Sequence, residues 1–78
     1  MNPPAKLYED LTPLEFDALR LAACGFKDLK VVAEILHTSA GAVAQLRREY
    51  REKLGATTPE RAIALAFCYG VLTPKDVL

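Results

Sequence analysis

Apolar residues along this chain recur at three- and four-residue spacing, and no stretch sustains the alternation that a half-buried strand requires. In LTPLEFDALRLAACG (residues 11–25), Phe16, Leu19, Ala22 and Ala23 fall on one side of a helix expected from Pro13 to about Ala23. Thr12 reads as its N-cap, Pro13 as its first residue and Glu15 as the partner that completes a capping box. Leu11 and Phe16 stand at the staple positions, and Gly25 follows as the stop. Asp28 opens a short second helix with Val32, Ala33 and Leu36 inward, and the triplet His37-Thr38-Ser39 ends it. Ser39 caps a third helix, in which Val43, Leu46, Tyr50 and Leu54 form a narrow apolar stripe before Gly55. TTPERAIALAFCYGVL (57–72) repeats the logic of the first start. Thr58 caps, Pro59 begins, and a fourth helix runs to about Tyr69 with Ala62, Ile63, Ala66 and Phe67 covering one side. The pattern therefore predicts an all-α domain of four helices over residues 11–72. An N-terminal arm (1–10) precedes it, with Leu7 and Tyr8 placed to pack on the domain, and a short C-terminal tail (73–78) follows.

Size and composition narrow the classes of function. Seventy-eight residues make one small domain that depends on well-packed helices or a partner. Cys24 and Cys68 lack any metal-ligand spacing, so no zinc site and no other cofactor is expected. No signal-peptide pattern and no apolar run near 18 residues is visible. A cytoplasmic protein off the membrane, with free and mostly buried thiols, is the expectation. The ten basic and ten acidic side chains cancel, but residues 1–38 carry −2 and residues 39–78 carry +2. Arg47, Arg48, Arg51 and Lys53 concentrate the positive charge on the third helix. His37 has no catalytic or metal-binding constellation around it, and Glu9/Asp10 and Glu15/Asp17 read as capping or surface carboxylates. No enzymatic activity is expected.

The second and third helices carry the pattern of a helix-turn-helix. That motif needs a small residue where two helices touch, apolar residues that lock them, and a tight turn. Val32, Ala33, Leu36, Val43 and Leu46 meet those offsets. His37 occupies the turn position that favours a left-handed backbone, which His tolerates better than most residues, and Thr38 stands where an apolar plug is usual.

With the fourth helix included, residues 11–72 resemble the LuxR/GerE-type DNA-binding domain. The resemblance rests on LTPLEFDALRLAACG, VVAEIL, SAGAVAQLRREYREKLG and TPERAIALAFCYGVL in that order. It implies a four-helix helix-turn-helix domain, here without a receiver or ligand-sensing domain. It also implies a transcriptional regulator that places its third helix in the major groove of double-stranded DNA. Dimerisation through the fourth helix follows from the same likeness. The chain departs from the family where Ala42, Ala44 and Leu46 replace the usual Thr, Lys and His, and where one extra residue enters the turn after Gly25. An Ala-Gly-Ala start donates no side-chain hydrogen bond to a base edge.

The remaining positions still suit a DNA surface. Helical spacing sets Ala40, Gly41, Ala44, Gln45 and Arg48 opposite the apolar stripe, and Ser39 and the helix N-terminus attract phosphate. Gln45 is suited to adenine and Arg48 to guanine, while Lys30, Arg47 and Arg51 are phosphate candidates. The competing reading makes the arginines a solvated face paired with Glu49 and Glu52. On the fourth helix, Arg61, Leu65, Cys68 and Tyr69 are the candidate homodimer contact, against core burial beneath Leu7 and Tyr8. A rival from another class keeps the fold but binds protein. Such a module would act as an anti-activator, or contact RNA polymerase or a larger regulator, through AGAVAQL or the fourth helix.

Overall fold

The computed structural model of the protein describes residues 11–78, so the arm with Leu7 and Tyr8 lies outside the described residues. Thr12 opens α1 (Pro13–Ala23) with the expected reciprocal pair: the Glu15 N–H donates to the Thr12 hydroxyl at 3.1 Å, and the Thr12 N–H donates to the Glu15 carboxylate at 2.8 Å. Asp28 caps α2 (Leu29–Leu36) by accepting from the Lys30 N–H at 2.9 Å. At His37 the backbone turns left-handed, with φ 57° and ψ 48°, which ends α2 as the sequence predicts. Ser39 then caps α3 (Ala40–Leu54), its hydroxyl accepting from the Ala42 N–H at 3.1 Å. Gly55 closes α3 at φ 70°, a conformation that costs little without a Cβ. Thr58 caps α4 (Pro59–Cys68) in the same way, accepting from the Arg61 N–H at 3.1 Å.

The all-α class holds, but the four-helix arrangement is corrected by a fifth helix, α5 (Pro74–Val77). Past Gly70 (φ 76°) the chain folds back, and the N–H groups of Val71 and Leu72 both donate to the Ala66 carbonyl. That reversal drives Leu72 into the core at 1% exposure. Thr73 and Pro74 then restart a helix, with the Asp76 carboxylate accepting from the Thr73 N–H at 2.8 Å and from its hydroxyl at 3.1 Å. α5 packs on α1, so the short C-terminal tail carries a helix that joins the packing.

Two apolar clusters hold the helices. The larger joins Ala18 and Leu19 of α1, Tyr50 and Leu54 of α3, Ala62 and Ala66 of α4, and Leu72. The smaller joins Leu21, Val32, Ala33 and Val43 and so fastens α2 and α3 to α1. Some core assignments shift. On α1, Ala18 and Leu21 are buried while Phe16, Ala22 and Ala23 are only half-buried. On α4, Ala62 and Ala66 define the inward direction one turn apart, which swings Phe67 a further 100° round and leaves it 38% exposed. Leu36 and Leu46 are half-buried at the edges of the clusters. The thiols are free but both exposed, correcting the expectation of burial, because Cys24 and Cys68 stand at helix ends. No helix among the described residues is long and apolar enough to cross a membrane.

Candidate functional site

The apolar stripe of α3 decides which of its residues face outward. With Val43, Tyr50 and Leu54 buried, Gly41, Gln45 and Arg48 lie on the opposite side and are exposed, flanked by half-buried Ala40 and Ala44. A Cβ placed on Gly41 would meet open space, so the first turn of α3 presents backbone without obstruction. Further along, the exposed side chains bond to one another. Arg48 Nη1 donates to Gln45 Oε1 at 3.1 Å, and Gln45 Nε2 donates to Glu49 Oε1 at 3.0 Å.

Arg47 turns the other way. Its Nη1 donates to the Lys27 carbonyl at 3.1 Å and its Nη2 to the Phe26 carbonyl at 3.2 Å, while Nε is enclosed without a hydrogen-bond partner. The side chain thereby ties α3 to the turn after Gly25. Arg51 is half-buried and donates from Nε to the Arg47 carbonyl at 3.3 Å. Arg47, Arg48 and Arg51 nevertheless line one shallow depression of about 260 Å³, with Leu29, Ala44, Tyr50 and Pro59 completing its wall and no carboxylate among the lining residues. A second depression of similar volume lies on the other side of Arg47, against Phe26 and Ile63. Burial pushes the Tyr50 phenol above its usual pKa, against the opposing charges of Arg47 and Arg51.

Behind this face sits a buried acid. Glu15 is 1% exposed and accepts from Lys53 Nζ at 2.7 Å, tying the start of α1 to the end of α3. Burial alone would raise its pKa. Hydrogen bonds from the Lys53 side chain and the Thr12 backbone, together with the Lys53 charge, hold the carboxyl below the usual range instead. Of the two roles the sequence offered for Glu15, capping or surface, the structure shows capping.

Comparison with protein-family models, with curated proteins and with solved structures finds nothing that matches this chain.

The predicted residues thus separate into groups. Gln45 and Arg48 are brought together on one open strip, with Ala44 beside them. Ser39 uses its hydroxyl as a cap, and Lys30 is exposed on α2. Among the described residues no ion pair joins Arg47, Arg48 or Arg51 to Glu49 or Glu52, so the paired-face reading of these arginines lacks its expected contacts. On α4, Arg61 and Cys68 are exposed and Leu65 is half-buried, whereas Tyr69 packs against the larger cluster. Sequence reasoning passed over Glu49 as a partner for Gln45, although the four-residue spacing is the signal for such a bond. On α2, Val31 and Ile35 are 39% and 42% exposed one turn apart. Among the described residues no three His, Cys, Asp or Glu side chains gather to hold a metal ion.

Proposed function

We propose that this chain is a sequence-specific DNA-binding transcriptional regulator that lays α3 in the major groove. The observation that carries this reading is the three-arginine depression beside the open Gly41–Gln45–Arg48 strip. Clustered guanidinium groups without a lining carboxylate suit a phosphate, and the small first turn lets the backbone approach the duplex closely. The likeness of residues 11–72 to the LuxR/GerE DNA-binding domain supports the same reading. Lys30 on α2 and Arg51 on α3 would contact phosphates, with Arg47 holding the frame that presents them. Two copies would associate through Arg61, Leu65 and Cys68 of α4 and read half-sites about one helical turn apart in the cytoplasm.

A protein-binding function is the second reading, favoured by the exposed apolar pair Val31 and Ile35 on α2. The partner would be RNA polymerase or a larger regulator.

Salt separates the two. A binding isotherm to random-sequence duplex DNA at two salt concentrations should weaken with salt, with a logarithmic slope of about −0.9 per phosphate contact. Arg48→Ala should weaken binding further. Absence of binding at low salt would sink the DNA reading and favour the protein partner, whose apolar contact is insensitive to salt.

A further inference from the structure

Gln45 does not stand free to read a base. Its amide is held at both ends, donating from Nε2 to Glu49 Oε1 at 3.0 Å and accepting at Oε1 from Arg48 Nη1 at 3.1 Å. Recognition of adenine by a glutamine uses the amide as a donor and acceptor together, so it would require both of these bonds to open. Arg48 gives up only one of its several N–H donors to Gln45 and keeps enough for the paired acceptors N7 and O6 of guanine. The asymmetry has a cause further back. Glu49 is an acceptor only when ionised, so it takes the amide nitrogen and turns the amide oxygen toward Arg48. Glu49 itself is half-buried on the side of α3 that meets Glu15 of α1, which limits its freedom to follow a ligand.

We infer that Arg48 alone reads a base, a guanine, and that Gln45 and Glu49 are positioning residues that fix its guanidinium and withhold the glutamine from adenine. The inference rests on the DNA-binding reading above and replaces the adenine contact expected for Gln45.

The test is selection from duplexes with a randomised core, followed by isotherms for the selected sites at two salt concentrations. Wild type, Arg48→Ala, Gln45→Ala, Glu49→Ala and Glu49→Gln would be compared. Wild-type protein should select one guanine per half-site at the α3 contact, with roughly 5- to 150-fold discrimination, the span one bidentate base contact supports. Arg48→Ala should abolish that preference. Gln45→Ala, at an exposed position that does not threaten folding, should reduce preference at the same guanine and at no other base. Glu49→Ala should lower the guanine preference and admit adenine beside it, while leaving the salt slope unchanged. Glu49→Gln, which keeps an acceptor oxygen but adds a competing donor, should fall between wild type and Glu49→Ala. A wild-type site containing an adenine that Gln45→Ala alone loses would overturn the inference, as would Glu49→Ala binding with unchanged base preference. In both cases salt-dependent binding would persist and the DNA reading would stand. Failure of every protein to bind duplex DNA would overturn both.

Discussion

Replacing Lys53 with Met should expose how much of the fold hangs on one buried carboxylate. Lys53→Met keeps the aliphatic stem that covers the site and removes only the ammonium, leaving Glu15 with 2% of its side chain exposed and its 2.7 Å partner gone. Breaking a fully buried ion pair costs about 3–5 kcal/mol, because the remaining charge is stranded in a poor solvent. Here the lysine side chain is 30% exposed, so part of its interaction is already shared with water, and the backbone N–H of Thr12 still donates to Glu15. The cost at neutral pH should therefore fall to about 2–3 kcal/mol, measured as a lower urea midpoint at constant m-value. For a domain of this size that corresponds to roughly 10–20 °C in Tm. The pH dependence fixes the mechanism. The Glu15 carboxyl is depressed in the folded protein, so its contribution is present above the unfolded pKa and is lost as pH falls through the folded value. Once Glu15 is protonated the lysine has no charge to meet, and the curves for wild type and variant should converge in acid. A cost that stayed constant from neutral pH to below the Glu15 titration would refute the ion-pair argument and assign the loss to packing.

Three further outcomes are expected. Leu72→Ala should cost about 2–4 kcal/mol by thermal melt, since it empties a fully buried site that sequence reading placed at the very end of the domain. Arg47→Ala should cost about 0.5–1.5 kcal/mol by urea titration through loss of its exposed hydrogen bonds to the Phe26 and Lys27 carbonyls, which water then takes; the amide protons of the α1–α2 turn should then exchange faster. His37→Gly should raise stability by about 0.5–1 kcal/mol, the left-handed penalty for a side chain less the entropy of glycine. An unchanged or lower Tm in that variant would show the imidazole making a compensating contact.

Helix starts were the most legible part of the chain because each is written in local chemistry. Thr12, Asp28, Ser39 and Thr58 all cap where their side-chain oxygens and the following residues predict. The fifth helix obeys the same grammar, with Thr73, Pro74 and Asp76 repeating the spacing of Thr12, Pro13 and Glu15. Four residues are too few for apolar periodicity to register, so the start signal had no pattern behind it to confirm. The inward side of α4 was legible only in part. Ala62 and Ala66 carry little hydrophobic weight in a sequence, yet their small size lets two helices approach, and the larger Phe67 is left outside. The site divides the same way. The open strip on α3 follows from helical geometry alone. The inward course of Arg47 depends on two carbonyls of a turn that lies twenty residues away, which no local rule can reach.

The two clusters share α1 and α3. Val43 near the start of α3 belongs to the smaller, and Tyr50 and Leu54 near its end belong to the larger. α2 is held chiefly by Val32 and Ala33, while the four-residue α5 has no buried residue of its own and is the element whose local opening costs least. When α2 opens, Val43 keeps only Leu21 of α1 as cluster partner, while the C-terminal half of α3 remains clamped. Gln45 and Arg48 lie at that boundary, between Val43, the last α3 residue the smaller cluster holds, and Tyr50 of the larger. The exposed strip is therefore cantilevered: rooted firmly at Tyr50 and Leu54, and supported toward Gly41 through Val43 alone, which Leu21 of α1 and the two buried residues of α2 hold.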